Sequence, residues 1–158
     1  MKTEDTRTEK QLCWMLLLAL VAIIGTTGCT TTPTSELTAK HAPLDRIFLE
    51  SAPKTSEPAV ATFVRDSGVF GSAVDLHLFI NGERAASLRA GEKVEIRLIP
   101  GEYVFGVRPT DPFGAIPLRS IDQNLRSQQK YFYRIFRDAS NPNAEIQRYI
   151  PGKKMSKN

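Results

Sequence analysis

The chain has 158 residues and a formal net charge of +4. That length suits one domain with a hydrophobic core, and the modest charge is far from the dense basic footprint of a nucleic-acid-binding protein. Both cysteines, Cys13 and Cys29, lie in the amino-terminal segment. The rest of the chain therefore has no thiol for catalysis, a disulfide or a thiolate metal site.

The segment that ends at Cys29 has the composition of a secretion signal. Its apolar run, 12–24, is shorter than the roughly 20 residues that span a bilayer. Small residues follow, and Gly28 stands directly before Cys29, as in a lipoprotein signal, although Thr26 is atypical three positions before the cysteine. We predict that residues 1–28 are removed and that Cys29 carries lipid.

Two alternatives to lipidation stay open. Ordinary cleavage among the small residues would release a soluble periplasmic protein, and an uncleaved segment would anchor the chain in the inner membrane. The charges before the apolar run are balanced, which is irregular for a signal. By analogy with enteric bacteria, Thr30 after the cysteine favours the outer membrane, facing the periplasm.

The next segment has the composition of a spacer. Residues 29–58 are rich in threonine, serine and proline, which predicts a flexible lipid-anchored tether. Within it, the apolar residues of 44–49 predict a single helical turn that docks on the domain. We place the domain at 59–151 and expect the basic tail, 152–158, to be disordered.

From Ala59 onward the pattern is that of β-strands. Residues 59–65 are rich in apolar residues, and in 74–80 the apolar residues recur with period two. Asn81-Gly82 then predicts a type I′ hairpin that returns along 84–89. Residues 93–99 alternate cleanly, and a type II turn at Pro100-Gly101 leads into 102–108. We expect these two hairpins to form a four-stranded meander.

Further strands are predicted at 116–125, 130–137 and 144–150, with a loop at 141–143. Apolar residues on both faces of 130–137 suggest a central strand or one covered by the tether. Seven or eight short strands separated by turn residues predict an all-β fold, an antiparallel β-sandwich.

Four short motifs carry a resemblance: Gly71-Ser72-Ala73-Val74, Phe79-Ile80-Asn81-Gly82-Glu83, Ile99-Pro100-Gly101-Glu102-Tyr103 and Tyr131-Phe132-Tyr133-Arg134-Ile135. Over residues 59–140 the chain resembles a family of small bacterial lipoproteins whose domain has no assigned function. The turn spacing is also similar to the PEGA domains of bacterial surface proteins, although the region after Pro109 departs from that short unit. The resemblance implies a fold and brings no catalytic residue.

Few residues suggest chemistry. Asp75 and His77 share one strand face and form a weak polar pair, but no further ligand or nucleophile accompanies them. The aromatic residues of 130–137, with Tyr103 and Phe105, suggest a stacking face or, more simply, core.

Two loops place apolar residues between chain-breaking residues. Val69 and Phe70 lie in one, and Phe113 lies in the other. If both loops lie at one end of the sandwich, they form the best candidate interaction surface.

The sequence therefore predicts a non-enzymatic envelope lipoprotein without a catalytic residue, metal or other cofactor. Its expected partners are the membrane, through lipid on Cys29, and an envelope protein or cell-wall polymer, with no nucleic acid. The alternatives are an inner-membrane anchored subunit of an envelope complex and a small metal-binding protein or enzyme that uses Asp75 and His77.

Overall fold

A computed structural model describes residues 32–49, 57–68, 72–138 and 141–152. The predictions for the signal, Cys29, Val69, Phe70 and residues 153–158 lie outside the described residues.

Nearly all regular structure is β. Besides one short 3-10 turn, Leu44–Arg46, the described residues form nine strands. In chain order these are β1 (Lys40–His41), β2 (Ala59–Arg65), β3 (Leu76–Ile80), β4 (Glu83–Leu88), β5 (Glu92–Leu98), β6 (Gly101–Pro109), β7 (Arg119–Leu125), β8 (Lys130–Asp138) and β9 (Asn141–Tyr149).

The strands form two packed sheets, which confirms the all-β sandwich. The five-stranded sheet has the order β1-β5-β2-β8-β9, and the four-stranded sheet has the order β4-β3-β6-β7. Two pairs, β1–β5 and β2–β8, are parallel, and the others are antiparallel. As expected for a strand with apolar residues on both faces, β8 lies inside its sheet, between β2 and β9.

The first predicted hairpin is confirmed. Asn81 and Gly82 have φ angles of +50° and +84°, as a type I′ turn requires, and Ile80 pairs with Glu83 across it. The Asn81 side chain also accepts a hydrogen bond from the Val104 amide at 2.9 Å, which ties the turn to β6.

The predicted meander is wrong. After β4 the chain crosses to the five-stranded sheet, where β5 pairs with β2, and after Leu98 it crosses back, where β6 pairs with β3. The two inner faces share one core, so an alternating strand such as β5 fits either sheet equally well. Alternation identifies the buried face but does not identify the sheet.

The last predicted loop is also wrong, because β9 begins at Asn141 and already pairs there with Asp138. Pro142 has no amide hydrogen to donate, but β9 is an edge strand, where proline is tolerated.

Three aromatic rings join the two sheets at the centre of the core. Phe63 of β2 stacks on Tyr133 of β8, and Phe105 of β6 meets both rings edge-on, with all three centroid separations at 5.0 Å. All three residues are fully buried. Aromatic pairs in this geometry contribute beyond the area that they bury.

Residues 32–49 pack on the sandwich, and we call this segment the strap. We expected a flexible spacer here. Instead, β1 extends the five-stranded sheet beyond β5, and Ala42 joins the core. The expected helical turn at Leu44–Arg46 is present, and Ile47 then pairs with Ala86 on the edge of β4. The strap therefore covers the side of the sandwich where β5 and β4 lie.

Polar contacts hold the strap at points that its composition does not reveal. Arg46 makes a two-point ion pair with Glu92, with nitrogen–oxygen distances of 2.9 and 2.6 Å. Near its start, the Thr34 amide donates to the Asp66 carboxylate, which also accepts from Arg134 Nε at 2.6 Å. A small polar segment becomes ordered here because the sandwich supplies specific partners for it.

Candidate functional site

Two connecting loops, one turn and the start of the strap meet at one end of the sandwich, which we call the entry end. The loops are 66–75 and 110–118, and the turn is 89–91. The Gly91 amide donates to the Arg65 carbonyl, and the Thr110 amide donates to the Asp75 carbonyl. Thr32, the first described residue of the strap, pairs with Ser67 at this same end.

Among the described residues of the entry end, Phe113 is the most exposed large apolar residue. The residue is 90% exposed. The Asp111 carboxylate accepts hydrogen bonds from the Phe113 amide at 2.9 Å and the Ile116 amide at 2.6 Å. These hydrogen bonds lower the pKa of Asp111 and fix the backbone that presents the ring.

The described ends of the two connections that carry the predicted apolar residues lie at the entry end. Gly68 and Ser72, which flank the segment with Val69 and Phe70, belong to the β2–β3 connection, and Phe113 lies in the β6–β7 connection. Leu76, the first residue of β3, pairs with Pro109, the last residue of β6. Both connections therefore leave the sandwich at the entry end.

Asp75 and His77 do not form the predicted pair. Asp75 lies before β3, and its carboxylate faces Arg89 Nε at 3.4 Å. His77 instead contacts the Ser87 hydroxyl through Nδ1 at 2.7 Å and the Thr110 hydroxyl through Nε2 at 3.1 Å. The strand pattern predicted that both residues share one face, but it could not show that each has a different partner.

The hydroxyl groups around His77 favour one tautomer. Thr110 Oγ1 lies 3.1 Å from the Asp75 carbonyl oxygen, which can only accept. We therefore assign the Thr110 hydrogen to that carbonyl, so that His77 donates from Nε2 and accepts from Ser87 at Nδ1. Ser87 in turn accepts from the Arg84 guanidinium at 3.1 Å.

The electrostatics agree with a neutral His77. Burial and the positive charges of Arg84 and Arg108 lower the pKa of His77, although the charge of Asp75 opposes them. The Ser87 hydroxyl contacts the imidazole in the way that a nucleophile contacts its general base. Ser87 is, however, only 2% exposed. The contact links β3 to β4, where His77 and Ser87 pair.

A shallow groove of about 430 Å³ lies at the opposite end. It is lined by Asn81 and by mainly polar residues of β6 and β7, among them Glu102 and Asp122. No group of three or more histidine, cysteine, aspartate or glutamate side chains that could hold a metal ion occurs among the described residues.

The aromatic residues of β8 do not form one stacking face. Tyr131 and Tyr133 are buried in the core, whereas Phe132 and Phe136 lie on the outer face and are half-buried. Phe132 instead packs near Tyr149 of β9.

The comparisons with known proteins give no family: no family model matches the chain, and no curated protein matches it. The resemblance to small lipoproteins and to PEGA domains stays a prediction. Within the part of the chain that the structure describes, no helix has the length and apolar character needed to cross a bilayer.

Proposed function

We propose that this chain is a non-enzymatic lipoprotein of the bacterial cell envelope, attached through lipid on Cys29 with its β-sandwich in the periplasm. The order of an apolar run, small residues and Cys29 carries the proposal. The partners of the sandwich would be an envelope protein or a cell-wall polymer. Following the analogy drawn from Thr30, the outer membrane is the proposed location.

The sandwich itself favours a binding or structural module over an enzyme. The Ser87 side of its contact with His77 is buried, and the Asp75 carboxylate pairs with Arg89 rather than with the imidazole. Among the described residues of the entry end, the exposed Phe113 stands on a fixed loop, which suits contact with a surface more than a reaction.

Fractionation of cells that express the full chain tests the proposal. The wild type is compared with Cys29→Ser and, as a matched control, with Cys13→Ser, which removes the other thiol within the signal. We expect wild type and Cys13→Ser in the membrane fraction and Cys29→Ser outside it or unprocessed. A wild type in the soluble periplasmic fraction would support ordinary cleavage. Full-length Cys29→Ser and full-length wild type together in the inner membrane would support an uncleaved anchor.

A further inference from the structure

We infer that the entry end of the sandwich faces the membrane and that Phe113 contacts the lipid surface there. This inference rests on the proposed function, because it takes lipid on Cys29 as the anchor. It goes further by naming the face of the domain that meets the bilayer and the side chain that touches it.

The reach of the chain between the lipid and the domain is very short. Thr32 is fixed to the sandwich by reciprocal backbone hydrogen bonds with Ser67, at 2.7 and 3.1 Å. Cys29 precedes Thr32 by three residues. Whatever their conformation, three residues span at most about 11 Å. A lipid on Cys29 would therefore hold the Ser67 end of β2 close to the headgroups.

Phe113 lies at that same end, on the other sheet. Packed sheets are about 10 Å apart. The β6–β7 loop and the start of the strap therefore lie at the same end of two neighbouring layers. Phe113 is almost fully exposed, and hydrogen bonds to the Asp111 carboxylate fix the backbone of the loop. Arg119, the exposed first residue of β7, adds positive charge beside the loop.

These properties match the boundary between headgroups and acyl chains. An aromatic ring gains from burial among acyl chains, and a basic side chain beside it suits anionic headgroups. A lipid partner also explains why an exposed phenylalanine occurs at the end that the anchor brings to the membrane. Ile150, another exposed apolar residue, lies at the opposite end, since the adjacent Tyr149 pairs with Phe132 near the start of β8.

A single tryptophan reporter tests the inference. Trp14 is the only tryptophan of the chain, so Phe113→Trp and the matched control Ile150→Trp are each made on a Trp14→Phe background. The full-length gene is expressed, its lipidated product is reconstituted in vesicles of phosphatidylethanolamine and phosphatidylglycerol with brominated acyl chains, and the intact mass of that product is recorded. We expect blue-shifted emission and several-fold stronger quenching at position 113 than at position 150.

The other outcomes separate this inference from the proposed function. No quenching at position 113 in a protein whose mass includes lipid overturns the inference and leaves the proposed function standing. A blue shift without quenching indicates a protein contact, such as a second copy, and also overturns it. Equal quenching at both positions shows that no one end faces the bilayer. A mass without lipid overturns both.

Discussion

Ser87 Oγ lies 2.7 Å from His77 Nδ1 because a β-bulge shifts the register of β3 and β4. Counting back from the Ile80–Glu83 pair without the bulge would place Ala86 opposite His77. The irregularity between Leu78 and Phe79 places Ser87 there instead. One extra residue thus gives the imidazole a polar partner in place of a methyl group.

The free energy of unfolding should fall on mild acidification because of His77. Its pKa is below the ordinary value of 6.5, so the folded state favours the neutral imidazole. The stability that comes from this preference is present above pH 6.5 and is lost as the pH falls through the lowered pKa. Urea unfolding at about pH 7.5 and about pH 5.5 measures this loss. His77→Gln should reduce the difference in unfolding free energy between the two pH values. His41→Gln, on the strap, should retain that difference. An unchanged difference in His77→Gln would contradict the assignment.

Removing Arg46 should loosen the strap. The side chains of Arg46 and Glu92 are 14% and 16% exposed, and Arg46 also donates to the Ser87 carbonyl. Arg46→Ala should lower the free energy of unfolding by about 1.5–3 kcal/mol at neutral pH. Arg97→Ala, at an exposed position of β5, should change it by less than about 0.5 kcal/mol. Equal effects of the two variants in urea unfolding would show that the strap contributes little.

The same ion pair gives a second pH signature. Burial alone would raise the pKa of Glu92, but hydrogen bonds from Arg46 and from the Arg89 amide outweigh burial and lower it. The stability that comes from a lowered carboxyl pKa is present above the ordinary value of 4.5 and is lost as the pH falls through the lowered one. The difference in unfolding free energy between wild type and Arg46→Ala should therefore become smaller as the pH falls below 4.5. If the difference in unfolding free energy stays constant as the pH falls through the pKa of Glu92, Arg46 and Glu92 do not form a charged pair.

Truncation of Phe63 should lower the free energy of unfolding more than the removal of Arg46 or of the Tyr133 hydroxyl does. The variant Phe63→Ala leaves a cavity between Tyr133 and Phe105 at the contact between the sheets, and we expect a loss of about 3–5 kcal/mol. Tyr133→Phe keeps the ring and removes only the hydrogen bond to Gln123, at a cost of about 1 kcal/mol. If the two losses in urea unfolding are similar, ring packing is not what joins the sheets.

Asp111 should control the order of the Phe113 loop without controlling the fold. Asp111→Ala removes the acceptor for the Phe113 and Ile116 amides, so both amides should exchange with solvent faster in native-state hydrogen exchange. Asp122→Ala, on the exposed face of β7, serves as the control and should leave both rates unchanged. Unaltered exchange in Asp111→Ala would mean that other contacts fix the loop.

Local patterns could be predicted from the sequence, and long-range pairing could not. The strand β2 has the predicted bounds, and Asn81-Gly82 forms the predicted turn, because alternation and positive φ angles are properties of neighbouring residues. The parallel pairing of β2 with β8 joins residues far apart in the chain and has no local signal.

The candidate site was only partly predictable for the same reason. Phe113 between breakers indicated an exposed apolar loop, as the structure has it. Ser87 and Thr110 carried no signal, because their contact with His77 depends on a bulge and on the pairing of β3 with β6. The strap was predicted as flexible because composition does not reveal single contacts such as the hydrogen bond from the Tyr149 hydroxyl to Glu36 at 3.0 Å.

Lipid attachment at Cys29 is tested most directly by the intact mass of the chain purified from bacterial membranes. We expect a mass that corresponds to a chain beginning at Cys29 with added lipid. The full-length mass, or the mass of a chain cleaved elsewhere and free of lipid, would contradict lipid attachment at Cys29.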